Sequence, residues 1–407
     1  MLYEISVRPE KSFHSCLICF FVLLKVVQRY TFYLNLQTLT CKISKKSSNF
    51  APKLNKMAKL YVFNPEHDLA LASNLANFTA PHAGRMLRFD LGYIPALWAG
   101  EDDYVLVEDV EKAVKAYGRL RAKIGGKPKQ FVDKSQLRHL YINKVEPWGW
   151  DLALRSYLLR NGLEASMLPT EGDIAEIRDL SHRKQAVGLL RELQLPGTVG
   201  HSRCTDDISE IKDALTHHGH IVVKAPWSSS GRGVRFISGV LDDYQERWIK
   251  NVVEKQQSVV VEPYYNKVKD FGVEFSSDGE GGVSYLGLSL FQTRNGAYTG
   301  NLIATENEKC RILSDYISED LLSSVQEKVC QYMGRLLKHK YQGPFGVDMM
   351  IVGKEDKDGF LLHPCVEINL RRTMGHVALS IPPFADGFTR VMHVELTDKY
   401  RVSVRKR

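Results

Sequence analysis

Apolar residues in this chain follow two spacings in turn. From residue 57 onward, short runs of β-branched and aromatic residues trade places with stretches whose leucines recur every three or four positions. That alternation predicts an α/β protein. Residues 60–63 read as a buried strand stopped by Asn64-Pro65, with a helical stretch over 69–75 and another short strand over 104–107. Helical spacing over 150–159 runs to Asn161-Gly162, a pair suited to a helix C-terminus. Residues 181–195 read as a helix with Leu189, Leu190 and Leu193 on one side, ended by Pro196-Gly197. Thr205-Asp-Asp-Ile opens a second helix, to residue 216. Strands follow at 221–223, 259–261 and 283–290. After a helix over 318–337, strands at 347–352 and 360–369 form a last hairpin. No internal repeat is visible, which excludes a solenoid.

The formal charge of +8 points at first toward nucleic acid, but its distribution removes that reading. Residues 1–56 hold nine Lys or Arg against two Glu, leaving 46 against 45 in the other 351 residues, a balance of +1. The same segment has an apolar run over 16–24, broken by Lys25 and shorter than the roughly 20 residues of a membrane span, with no convincing cleavage site after it. Residues 1–56 are therefore expected to be a non-native or disordered extension, with Met57 a natural beginning and no membrane partner. Cys204, Cys310, Cys330 and Cys365 are widely spaced, which fits a reducing cytoplasm and no structural disulfide.

Candidate chemistry concentrates in two segments far apart in the chain. In Ile221-Val-Val-Lys-Ala-Pro-Trp-Ser-Ser-Ser-Gly-Arg-Gly-Val234, Lys224 ends a strand. The loop Ser228, Ser229, Ser230, Gly231, Arg232, Gly233 then offers hydroxyls, a guanidinium and closely approachable backbone N–H groups to phosphate oxygens. The lysine precedes the glycines, so this is not a P-loop, and by composition alone such a loop is more often a mobile hairpin turn. Glu262 ends the run Val259-Val-Val, where a carboxylate suits ribose hydroxyls or simply faces solvent.

In the second segment, Asp348 sits in one apolar strand and Glu367 and Asn369 in the next. Residues 367 and 369 share a face because strand side chains alternate. Two carboxylates and an amide oxygen are hard ligands suited to Mg²⁺, and a salt bridge to Arg371 or Arg372 is the competing reading. Arg371, two positions past Asn369, falls on the same side. Arg294, Tyr298 and Asn301 lie in a polar, glycine-punctuated loop that holds substrate or merely connects. His67, in Asn64-Pro-Glu-His-Asp68, reads as acid/base chemistry or, slightly favoured, as part of a helix start whose carboxylates suit the dipole.

Taken in order from about residue 181 to 376, the Leu-Pro-Gly turn, the Val-Val-Lys strand, the Ser/Gly loop, Val-Glu-Pro, and the final Gly-Val-Asp and Glu-Ile-Asn-x-Arg resemble the ATP-grasp superfamily. The resemblance implies two α+β subdomains enclosing a nucleotide, preceded by an α/β domain. The divisions are then 57–175 for the α/β domain, 176–265 for a small lid subdomain and 266–400 for a large metal-binding one. It implies ATP on Lys224, Ser228 to Gly233 and Glu262, and Mg²⁺, as one or two ions replaceable by Mn²⁺, on Asp348, Glu367 and Asn369. Arg371, Lys224 and Arg294 would act on the transferring group. The implied enzyme is a ligase joining a small-molecule or peptide carboxylate to an amine or thiol through an acyl phosphate. A kinase of the same fold and a non-catalytic nucleotide binder are the alternatives. The family's second charged residue is assigned to none of Lys269, Asp270 and Glu274, and the acceptor's base is left between His67 and His376.

Overall fold

The first strand, β1 (Ala58–Val62), is buried on both faces: Leu60 and Val62 enter one core, Tyr61 and the following Phe63 another. Burial on both sides marks a parallel sheet covered on both sides. The computed structural model describes residues 58–407 except 229–232, 295–296 and 355–358, with the backbone alone of Arg294 and Ala297. The expected extension over 1–56 and the loop residues Ser229, Ser230, Gly231 and Arg232 lie outside the described residues, as does the Arg294 side chain. Met57–Arg407 forms one compact unit.

After β1 come α1 (His67–Ser73), α2 (His82–Leu91), β2 (Tyr104–Leu106), α3 (Val110–Ile124), β3 (Gln130–Val132) and β4 (Ile142–Pro147). The four strands form a parallel sheet in the order β3-β2-β1-β4. Strands β3 and β4 are short or interrupted by charge, so the apolar pattern did not announce them. Next are α4 (Leu152–Arg160), N-capped by Asp151, α5 (Glu171–Leu180), with a Thr170–Asp173 capping box, and α6 (Lys184–Glu192). The helix expected over 181–195 is shorter, because Ser181 and His182 bond back to Ile177 and Asp179 and make the turn out of α5.

Then follow β5 (Arg203–Thr205), α7 (Ile208–His218), β6 (His220–Lys224), β7 (Val234–Ser238), α8 (Asp243–Gln256) and β8 (Val259–Pro263). These strands make an antiparallel sheet, β5-β8-β6-β7, over a core of Ile211, Leu215, Ile221, Val223, Ile249 and Val259. The cap of α7 is Asp207, within the expected Thr205-Asp-Asp-Ile start, and it accepts the Ser209 N–H.

The remaining elements are β9 (Lys267–Ser277), β10 (Val283–Ser289), β11 (Phe291–Arg294), β12 (Ala297–Ile303), α9 (Glu306–Ser314), α10 (Glu319–Leu337), β13 (Gly343–Gly353), β14 (Phe360–Asn369), α11 (Met374–Leu379), β15 (Arg390–Leu396) and β16 (Tyr400–Lys406). They build two antiparallel sheets, β10-β9-β13-β14 and β11-β12-β15-β16. In the first, Phe271, Val273, Phe275, Phe345 and Val347 pack on Leu322, Val325, Val329 and Met333 of α10. The β13–β14 hairpin is therefore not the last. Arg390–Leu396 and Tyr400–Lys406 pair as a further hairpin, with Val391, Met392 and Val404 buried. A parallel α/β unit followed by a smaller and a larger α+β unit is the order that the resemblance implies.

Candidate active site

Register decides which side chains meet on the large sheet. Phe271, Val273 and Phe275 of β9 and Phe345, Val347 and Met349 of β13 point into the core, so residues between them face the other way. Pairing sets two rows across that outer face: Ser289, Gly272, Asp348 and Glu367 in one, Gly287, Glu274, Gly346 and Asn369 in the next. The spacing argument for residues 367 and 369 thus holds in three dimensions, and Asp348 joins them. Glycines 272 and 346 leave the middle of the face bare. A Cβ on Gly346 would stand 2.6 Å from Glu274 Oε2 and 2.9 Å from Thr373 Cγ2.

Asp348 accepts a hydrogen bond from Asn369 Nδ2 at 3.1 Å and has no ion-pair partner among the described residues. Desolvation, then the charges of Glu367 and Glu274, push its carboxyl up to about 8. Glu367 is paired with Arg183 Nη2 at 2.7 Å. Arg183 is buried and also donates to Ser228 Oγ, at 2.9 Å, and to the Ala225 carbonyl, so it ties the start of the Ser/Gly loop to the carboxylate face. Nothing in the sequence singled out this arginine: it stands in a turn, 184 residues from Glu367.

Lys224 and Glu262 are both buried on one face of the small sheet, and their charged ends meet at 2.6 Å. Glu262 is thus neither a solvent-facing strand end nor unpartnered. Lys224 Nζ also donates to the Val366 carbonyl at 3.3 Å, which places it one residue from Glu367. The loop it precedes is pinned at both ends. Trp227 donates to the Arg178 carbonyl and lies against the Arg178 guanidinium and the His182 ring. Gly233 accepts from the Ala225 N–H and packs so tightly on Ser228 that a side chain there would collide.

Arg371 pairs with neither Asp348 nor Glu367. Its Nε and Nη2 make a two-pronged contact with Asp68, at 2.9 and 2.6 Å, and Nη2 also meets Asn369 Oδ1 at 3.0 Å. Burial opposes the charge on Asp68, but Arg371 outweighs it and holds the carboxyl below its usual value. The motif Asn64-Pro-Glu-His-Asp68 does begin a helix, yet no side chain caps it. Each polar group there has a more distant partner: Glu66 with Arg88, His67 with Asp151, Asp68 with Arg371. His67, Asp68, Trp227, Ser228, Glu367 and Asn369 line one cleft.

Of the other candidates, Asp270 pairs with Lys267 and Lys269 lies over the Tyr316 ring, while Glu274 sits beside the carboxylates with Oε2 buried. His376 is buried against Glu274, its Nδ1 2.9 Å from Glu274 Oε2 and also beside the Thr373 N–H and hydroxyl, while Nε2 faces the Phe275 carbonyl. His363, near Lys224, is fully buried with neither nitrogen bonded among the described residues; desolvation pushes its imidazole down to about 3.

Among the described residues no group of three or more His, Cys, Asp and Glu side chains is placed to hold a metal ion. Asp348, Glu367 and the Asn369 amide, with Glu274 beside them, are what this face offers. The donors are hard oxygens, and an Asp348 carboxyl that burial and like charge drive toward neutrality is one that a divalent cation would ionise.

No protein-family model matches the chain, and no curated protein matches it. Among solved structures it is similar to N5-carboxyaminoimidazole synthetase from Staphylococcus aureus complexed with ADP, at 14% identity over 86% of this chain and 84% of that one, TM-score 0.44. It is also similar to the biotin carboxylase β-γ-ATP complex from Campylobacter jejuni, at 13% identity over 83% of this chain and 75% of that one, TM-score 0.46. Likenesses this distant fix neither family nor activity, and what the site can do is read from its own atoms.

Proposed function

We propose that this chain is an ATP-dependent ligase of the ATP-grasp type, joining a carboxylate to an amine or thiol through an acyl phosphate. The observation that carries the proposal is the junction of two chemistries: Arg183 and Lys224 link the Ser/Gly loop to Asp348, Glu367 and Asn369. A phosphate-binding loop beside hard-oxygen ligands suits a metal-bound nucleoside triphosphate. Asp348 and Glu367, with Asn369, would hold Mg²⁺, which when bound supplies charge neutralisation at the phosphate oxygens.

The chain's own residues would do the rest. Lys224 presents an ammonium to the phosphates once Glu262 turns to the ribose hydroxyls. Arg371 offers a guanidinium on the same side as Asn369, where charge develops as the phosphoryl group passes to the substrate carboxylate. Ser228 and Gly233 mark the neck from which the loop would close and keep water from the acyl phosphate.

ADP release by the full chain with Mg²⁺-ATP and a mixture of amino acids and dicarboxylates tests this reading. Release should depend on the added acids and fall about a hundredfold or more in Asp348→Asn and Glu367→Gln. ATP that binds neither the parent chain nor the variants would sink it.

A further inference from the structure

Strand order places a second site next to the first. In β3-β2-β1-β4 the chain moves to one side of β1 after it is made and returns to the other side for β4. In open parallel sheets, ligands sit beyond the carboxyl ends of the two strands where direction reverses. Here those ends lead into residues 63–66 and 148–151, and the two loops are bonded to each other. Asn64 Nδ2 donates to the Gly149 carbonyl at 2.8 Å and to Asp151 Oδ2 at 3.1 Å.

Between them lies His67, 1% exposed. Its Nδ1 is 3.3 Å from Asp151 Oδ2, and Asp151 Oδ1 is fixed by the Leu154 N–H at 2.8 Å as the cap of α4. Gly149 packs on the ring face: a Cβ there would stand 2.6 to 2.7 Å from Cδ2, Cγ and Nε2. The imidazole is thus held by a carboxylate at one nitrogen and by backbone across its face. Nε2 makes no hydrogen bond among the described residues, while His67 lines the cleft shared with Glu367 and Asn369. The surrounding charges are largely paired: Glu66 with Arg88, Asp68 with Arg371, Glu367 with Arg183. Asp151 is therefore the carboxylate that acts directly on the ring.

We propose that His67 Nε2 takes the proton from the attacking amine or thiol, with Asp151 as its positioning residue; this rests on the ligase reading. The nucleophile's lone pair forms the bond to the acyl carbon, and the C–O bond to phosphate breaks, its electron pair leaving with the phosphate. The proton passes to Nε2, and Asp151 offsets the imidazolium until it is released to solvent.

Hydroxylamine, largely neutral at pH 7, needs no base and separates the two halves of the reaction. With Mg²⁺-ATP and a mixture of amino acids and dicarboxylates, His67→Gln should lower hydroxamate formation by no more than about threefold, but amine ligation by about a hundredfold or more. The ligation loss should shrink as pH rises. Retained hydroxamate formation also shows that the variant is folded. Equal loss of both products, or loss of neither, overturns the assignment. A parent chain that forms neither product fails as a ligase, which overturns the reading beneath this one. Independently of substrate, ¹⁵N NMR of the imidazole should find Nδ1 protonated and Nε2 bare in the parent chain and the proton shifted in Asp151→Asn. A parent chain with Nε2 protonated and Nδ1 bare overturns the proposal.

Discussion

Asp68 and Arg371 illustrate what a residue can and cannot announce. Arg371 was legible as a guanidinium near the hard ligands from its spacing to Asn369, but its partner lies 303 residues away, and local sequence carries no signal for that. The same holds for Arg183, and for His67, whose partner Asp151 is 84 residues distant. Side chains that look like a helix start were committed to long-range pairs instead. Because the Asp68 contact is two-pronged and only about one-fifth exposed, Asp68→Asn should lower unfolding free energy by about 1 to 3 kcal/mol in urea titrations. No change would mean that the pair does not form in solution. His363 gives a pH prediction. Its folded value, about 3, lies below the ordinary 6.5, so the unfolded chain binds the proton more readily. Stability is then full above pH 6.5 and is lost as pH falls toward 3, by roughly 2 kcal/mol at pH 5. His363→Met should flatten that slope, as read from urea midpoints at pH 7.5 and 5.

At the scale of elements, strand alternation was the dependable guide. It placed 367 and 369 together, because a period of two leaves no freedom once the opposite residues are apolar, while Asp348 reaches their side through the cross-strand register. Helix ends were less legible: α6 starts three residues later than expected. The sequence also gave no reason to foresee that Gly346 clears space for Glu274, a contact made across strands. Gly346→Ala should push Glu274 and Thr373 aside and lower the melting temperature, at a cost of about 1 to 3 kcal/mol. An unchanged melting temperature would show that the face relaxes freely.

Over the whole molecule, one core joins the beginning and end of the described chain. Tyr61, Phe63 and Trp148 from the parallel sheet pack with Ile303, Met392 and Val404 from the last antiparallel one. The hairpin over 390–406 was not anticipated from the sequence, nor was the sheet it would join. Removing residues 386–407 should leave insoluble or protease-sensitive protein rather than a folded chain with weaker activity, as limited proteolysis would reveal. The Asp68–Arg371 contact has a further consequence for engineering. A chimera that takes its front half from a donor and keeps this chain's back half would part the guanidinium from its carboxylate, while the Arg183–Glu367 pair would stay whole in the back half and the His67–Asp151 pair would leave with the front. Crossover points between residues 151 and 183 would therefore yield hybrids that need Asp68 restored by hand before the seam could function.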